Sequence, residues 1–267
     1  MSTQLEKILA HTRLEVRDRR VTADVRHLER RAAEHQPRGF EAALRRVAEN
    51  GPAMIAELKK ASPSRGLIRA DFQPAALARS LEAAGAAALS VLTDQKFFKG
   101  SLDDLTQASE AVKIPCLRKD FIVDPFQILE ARAAGADAVL LIVAALRDED
   151  LKSFGLEAWR MGLDVLCEVH DRAELERAVA LGFTVIGVNS RNLHTMQVRP
   201  ETQIELAQWL PREAVRVAES GIRSAVEIAR MVEAGYDAFL VGESLMRQPD
   251  PGEALAALLG RPVSAEG

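Results

Sequence analysis

Four stretches of this chain share one arrangement of apolar and polar positions: LEAAGAAALSVL, LEARAAGADAVLLIV, AVALGFTVIGVN and MVEAGYDAFLVG. Each passes from Ala, Leu and Glu at helical spacing, through a glycine, into an unbroken apolar run. A glycine just past the last turn is a common helix stop, because it enters the left-handed conformation without steric cost. An apolar run without alternation reads as a strand covered on both faces, the condition of a parallel sheet. The repeated unit is helix, stop, buried strand.

Extended along the chain, the pattern predicts strands at 53–58, 87–92, 115–118, 138–143, 165–167, 185–188, 214–218 and 238–241. Helices are predicted between and after them, at 74–84, 102–112, 125–134, 148–161, 172–181, 200–209, 224–233 and 252–259. Eight βα units in roughly 215 residues suit a closed α/β architecture, the (β/α)8 TIM barrel, which takes about 250 residues with its extras. An open doubly wound sheet is the alternative, but no strand is followed by its GxGxxG turn. Ahead of the first strand, amphipathic helix is predicted over 4–35 and 39–49, broken near 36–39. The chain thus reads as one barrel domain over 1–267, with 1–50 as an N-terminal helical extension. That extension is expected either to plug the barrel's bottom or to fold over its top.

Composition narrows the class. A net charge of -4 argues against broad affinity for nucleic acid, while leaving room for a local cationic pocket. No apolar stretch is long enough for a membrane span or a signal peptide, so no membrane partner is expected and a cytoplasmic location is. Cys116 and Cys167 lie in apolar runs and read as buried thiols in a reducing compartment.

The candidate chemistry sits where polar residues end the apolar runs. In such a barrel the C-terminal strand ends face one mouth. In order these ends carry Glu57 with Lys59, Thr93, Lys119, Glu168, Asn189 with Arg191, Glu219 with Ser220, and then 242–244. Only the fourth run, DAVLLIVAAL, lacks a polar end. Any one such residue reads equally well as a solvated rim group. Lysines and glutamates converging together form a coupled set suited to acid–base chemistry. The last two loops, VAESGIRSAVEIAR and FLVGESLMRQ, place Ser and Gly where a strand meets a helix, the usual phosphate grip of this fold. The SPSRG loop can add Ser62, Ser64 and Gly66.

Taken together, IAELKKASPSRG, PCLRKDFIVDPFQILEARAAGADAVLLI, CEVH, IGVNSRNL, VAESGI and LVGESLM, in this order and spacing, closely resemble the indole-3-glycerol-phosphate synthase family of tryptophan biosynthesis. The resemblance implies a lyase that converts 1-(o-carboxyphenylamino)-1-deoxyribulose 5-phosphate to indole-3-glycerol phosphate, releasing carbon dioxide and water. It implies no metal and no organic cofactor. Carried over by motif, Lys119 resembles the general acid of ring closure, Glu57 and Lys59 a catalytic pair, and Glu168 a third acid–base group. Asn189, Arg191 and Ser220 resemble groups that hold substrate hydroxyls and carboxylate. Lys60, Ser62, Gly221, Gly242 and Glu243 match carboxylate- or phosphate-binding positions, with Glu219 and Leu240 completing the substrate-binding set. Phe98 and Phe121 resemble an apolar wall for the anthranilate ring. Many relatives have a second Asn where this chain has Ser190 and a small residue where it has Glu243, so Glu243 is expected to meet phosphate only through its backbone N–H.

The residues leave open which lysine serves which step. A phosphoribosylanthranilate isomerase-like barrel would expect a cysteine at the first strand's end, where Glu57 and Lys59 stand. A catalytically silent phosphate-binding barrel would have no reason to keep Glu57, Lys59, Lys119 and Glu168 together. His170 beside Glu168 lacks a third ligand and reads as a rim or helix-start residue rather than a metal partner. Trp159 and Trp209 are expected to pack on the outside of the sheet, and Arg17 to Arg20 to form a solvated helix face. The protein is expected to act as a monomer or weak homo-oligomer.

Overall fold

A computed structural model describes residues 3–192 and 197–261; Leu193 of the IGVNSRNL motif lies outside the described residues. Three helices come first: α1 (Gln4–Thr22), α2 (Val25–Glu34) and α3 (Phe40–Ala48). Strand β1 (Ala53–Leu58) leads to a rim hairpin, β2 (Ala61–Ser62) and β3 (Gly66–Leu67), then α4 (Pro74–Ala84) and β4 (Ala88–Leu92). There follow α5 (Gln95–Phe98), α6 (Leu102–Ala111), β5 (Cys116–Lys119), α7 (Phe126–Ala133), β6 (Ala138–Ile142) and a 3-10 turn, Val143–Ala145. The chain continues through α8 (Asp148–Arg160), β7 (Asp164–Val169), α9 (Arg172–Ala180), β8 (Val185–Asn189) and α10 (Glu201–Ala207). It ends with β9 (Val215–Glu219), α11 (Ala225–Glu233), β10 (Ala238–Val241), α12 (Glu243–Met246) and α13 (Pro251–Leu258).

The eight long strands pair in parallel in the closed order β1-β10-β9-β8-β7-β6-β5-β4. This is the expected (β/α)8 barrel. Its core has two shells because successive strand residues face opposite sides. Ala53, Ile55, Leu117, Leu140, Leu166, Val217 and Leu240 fill the interior. Met54, Ala56, Leu89, Cys116, Val139, Cys167 and Phe239 face the helices. Both cysteines are buried and free.

The N-terminal helices do both things the sequence left open. Gln4, Leu5 and Ile8 of α1 line the pocket at the mouth, while Phe40 and Leu44 of α3, fully buried, pack into the interior cluster from the bottom. Truncating Phe40 to Ala should cost about 3–5 kcal/mol and truncating Leu44 about 2–5 kcal/mol, the usual cost of a large core cavity. Between them, Arg38 donates through its backbone N (2.7 Å), Nε (2.9 Å) and Nη2 (2.6 Å) to Asp137, which also meets His35 Nε2 at 3.1 Å.

Several local expectations are corrected. The helix predicted over 4–35 is broken at Ala23–Asp24, because the Asp24 side chain accepts from His27 N (2.9 Å) and caps a new helix. Arg19 and Arg20 are not simply solvated: they pair with Glu130 (2.8 Å) and Asp124 (3.3 Å) and tie α1 to the barrel. Trp159 does not pack on the sheet but is 76% exposed. Trp209, also exposed, carries the Arg172 guanidinium stacked 3.7 Å above its ring.

Candidate active site

The predicted strands stop short of Lys119, Glu168, Asn189 and Glu219, but in the barrel all four belong to the ladder, three of them as its last residue. Register places them inward: Lys119 pairs with Leu92, Glu168 with Ile142 and Gly187, and Glu219 with Asn189 and Leu240. A rigid sheet therefore aims four polar side chains into one mouth. There they line a pocket of about 860 Å³. The candidate residues read from the sequence line it, except Lys60, Thr93 and Gly66. The Lys60 ammonium lies 5.9 Å from the Phe72 ring, because Lys59 takes the inward position. Thr93 also leaves the mouth: its hydroxyl donates to Asp120 (2.6 Å) and accepts from Arg118 Nε (3.1 Å) behind the sheet.

At the pocket floor Lys119 Nζ donates to Glu168 Oε2 (3.0 Å) and to Glu219 Oε2 (2.6 Å), and Lys59 pairs with Glu57. Burial pulls the Lys119 ammonium toward its neutral form, but Glu168, then Glu219 and Glu57, outweigh it and hold the lysine above its ordinary range. The two carboxylates are unequal. Burial raises a carboxyl's pKa, yet Lys119 and His170 more than reverse this at Glu168 and hold it well below the carboxylate range. At Glu219, burial and the negative charge of Glu168 win against Lys119 and push the carboxyl up to about 7. The two carboxylates thus differ in proton affinity, Glu168 being the more readily ionised.

Small residues make room for this cluster. A Cβ at Gly187 would collide with Glu219 Oε1, and one at Gly242 with Glu57 Oε1. The turn after β9 is held from behind: Ser190 Oγ donates to the carbonyls of Glu219 and Ser220 (3.2 Å each), and Gln203 Nε2 to the carbonyl of Glu219 (2.8 Å). Ser220 (φ 67°) and Gly221 (φ 79°) are both left-handed, a conformation that costs a serine about 1–2 kcal/mol. Buried Ser190 thus supports backbone here.

The pocket also carries four arginines. Arg65, Arg191, Arg223 and Arg247 line it, together with Ser62, Ser64 and Ser244. The Glu243 carboxylate is itself engaged: Arg65 Nε (3.1 Å), Arg247 Nε (3.2 Å) and Arg191 Nη2 (3.9 Å) all face it. Arg65, Arg223 and Arg247 were not singled out from sequence, although each stands within or beside a loop that was. A further wall is aromatic, with the Phe98 and Phe121 ring centroids 6.3 Å apart. Among the described residues no group of three or more His, Cys, Asp or Glu is placed to hold a metal ion.

A closed (β/α)8 barrel whose mouth joins lysine–glutamate pairs, an aromatic wall and an arginine rim defines an acid–base enzyme for an anionic small molecule. Comparison with known proteins narrows the class. A family model described as indole-3-glycerol phosphate synthase matches residues 5–258. A protein of that name from Koribacter versatilis (strain Ellin345) is 59% identical over 260 residues, covering 97% of this chain and 100% of the relative. Another, from Acidithiobacillus ferrooxidans (strain ATCC 53993 / BNL-5-31), is 49% identical over 260 residues, covering 97% and 99%. The chain therefore belongs to the indole-3-glycerol phosphate synthase family, carboxy-lyases of tryptophan biosynthesis.

Solved structures similar to it show the fold alone. The thiamine phosphate pyrophosphorylase from Pyrococcus furiosus aligns at a TM-score of 0.58 and 15% identity, over 79% of this chain and 95% of that one. The N-acetylmannosamine-6-phosphate 2-epimerase from Clostridium perfringens aligns at 0.57 and 15%, over 74% and 90%.

Proposed function

We propose that this mouth closes the indole ring of 1-(o-carboxyphenylamino)-1-deoxyribulose 5-phosphate, with loss of carbon dioxide and water, by lysine–glutamate acid–base catalysis. The observation that carries this reading is one lysine, Lys119, held cationic between two carboxylates of unequal proton affinity at the floor of the pocket. Attack of the carboxylate-bearing ring carbon on the ketone makes a carbon–carbon bond and turns the carbonyl oxygen into a hydroxyl. That oxygen needs a proton as the bond forms, and Lys119 supplies it. Carbon dioxide then leaves, its bonding electrons restoring the aromatic ring. Dehydration removes the new hydroxyl with a proton and takes another from the methylene beside nitrogen. Glu168, ionised, suits the base, and the Glu57–Lys59 pair the acid.

Binding follows the asymmetry of the pocket. Phe98, Phe121 and Leu240 receive the anthranilate ring. Asn189, Arg191 and Ser220 orient hydroxyls and carboxylate, while Ser62, Gly221 and Gly242 with the arginine rim hold the phosphate. Lys60 contributes charge from outside the pocket. Among the described residues no helix is long and apolar enough to cross a membrane. A cytoplasmic enzyme acting as a monomer or weak homo-oligomer fits the free buried thiols and the mixed surface charge. The test is indole fluorescence on mixing the purified protein with the substrate in buffer containing a chelator. A rise supports the reaction. No rise from folded protein that still binds inorganic phosphate favours the silent-barrel reading.

A further inference from the structure

His170 follows the strand residue Glu168 by two positions and was read from sequence as a rim group. In the structure it is largely buried, with 12% of its side chain exposed, and lies between two carboxylates. Its Nε2 is 3.2 Å from Glu168 Oε1, an ionic contact whose geometry falls outside a hydrogen bond. Its Nδ1 meets Glu174 Oε2 at 3.0 Å, and the same oxygen accepts from the His170 backbone N at 2.8 Å. Glu174 is itself fixed in the first turn of α9, where its backbone N donates to Asp171 Oδ1 (2.9 Å).

The two oxygens of Glu168 therefore face two different cations: Oε2 faces Lys119 and Oε1 faces His170. This matters when Lys119 gives up its proton. A buried carboxylate whose only counter-ion has become a neutral amine would itself take a proton and cease to be a base. Glu219 is in that position, since Lys119 is its only cationic partner among the described residues and its Oε1 makes no hydrogen bond there.

We propose that His170 is a positioning residue: clamped by Glu174 as an imidazolium, it holds Oε1 of Glu168 and keeps that carboxylate ionised and aimed into the pocket while Lys119 donates its proton. Burial opposes the imidazolium, but Glu168 and Glu174 outweigh it and raise His170 to about 10, so the cation persists through neutral pH. Beyond these, Lys119 of β5 and Glu219 of β9 interact with Glu168, and Glu57 of β1 acts on Lys119. Arg177 of α9 is turned away, onto Asp148 and the carbonyls of Val143 and Leu146.

The proposal rests on the roles assigned to Lys119 and Glu168, so it is tested both with and without turnover. Histidine ¹⁵N NMR of the wild-type protein at pH 8 should show both His170 nitrogens protonated; a neutral ring there overturns the proposal. Because Glu168 and Glu219 share Lys119, they titrate as a pair. His170→Asn, which loses Nε2, should move the acid limb of the kcat–pH profile up by about one unit and lower kcat along that limb by about tenfold. KM should change little, and Glu174→Gln should shift the limb the same way by less. A folded His170→Asn protein with an unmoved acid limb overturns the proposal, whatever its kcat, because loss of packing alone would not move a titration. Absence of turnover in the wild type would instead count against the proposed reaction and leave the NMR result to decide on the clamp.

Discussion

Gly187 lies on β8 directly beside the Glu168 strand, with ordinary strand backbone and no positive φ, so alanine can adopt its conformation. The added methyl has nowhere to go. Its carbon would lie inside contact distance of Glu219 Oε1, 3.2 Å from Glu219 Cδ and 3.1 Å from Leu166 Cδ1. Carbon pairs prefer roughly 3.5–4.0 Å, so the carboxylate must withdraw by about 1 Å. The Lys119–Glu219 contact, now 2.6 Å, would then lengthen to about 3.6 Å, beyond hydrogen-bond range. A misplacement of about 1 Å at reacting groups costs on the order of 10²-fold in rate, or about 2.7 kcal/mol of barrier. Overpacking should also remove roughly 1–3 kcal/mol of stability. The assay is steady-state indole fluorescence on Gly187→Ala, with circular dichroism and Tm to confirm folding. A folded variant with kcat within about twofold of wild type would refute the claim that Gly187 sets the position of Glu219.

The arginine rim makes a second prediction. Glu243→Ser removes the carboxylate that faces Arg65 and Arg247 and should lower KM by about fivefold, since a half-exposed ion pair is worth about 1 kcal/mol. An unchanged KM from initial rates would remove these arginines from phosphate binding. At the barrel's bottom, Asp137→Asn should cost about 3–5 kcal/mol, read as a Tm lowered by roughly 10 °C with KM unaltered. Burial works against the Asp137 charge, but His35 and Arg38 outweigh it and hold the carboxyl below its ordinary value. Its contribution is therefore complete above the unfolded pKa of about 3.9 and is lost as pH falls through the lower folded value. Thermal melts against pH should show a shallower acid slope in Asp137→Asn than in wild type.

The barrel was legible because its signal is repeated: each helix stops at glycine before an apolar run. Lys119, Glu168 and Glu219 were legible because a charge ending such a run has few places to go but the mouth. What the runs hide is facing. Strands buried on both sides carry no alternation, so nothing in the sequence separates inward Lys119 from outward Arg118, which is 1% exposed and bonded to Asp120, Glu130 and Thr93. The same missing parity sent Thr93 and Lys60 into the predicted pocket. That His170 was read only as a rim or helix-start residue, and Arg247 not singled out, has another reason. Glu168 lies on a strand and Glu174 on the helix beyond it, so only the turn between them brings both charges onto His170, whereas Arg247 and Glu243 stand at helical i,i+4 spacing in a segment where no helix was predicted. Asp24 read as one more polar helical residue until its side chain capped the following helix.

The most direct test is Lys119→Met, which keeps the unbranched stem of the side chain and removes the ammonium that Glu168 and Glu219 hold in place. Single-turnover indole fluorescence should fall by about 10²–10⁴-fold, the usual contribution of a general acid. Substrate binding, followed by calorimetry, should stay within about tenfold of wild type, because the arginine rim and aromatic wall are untouched. Turnover near the wild-type rate in a folded Lys119→Met protein would contradict the assignment of Lys119 as the proton donor in ring closure.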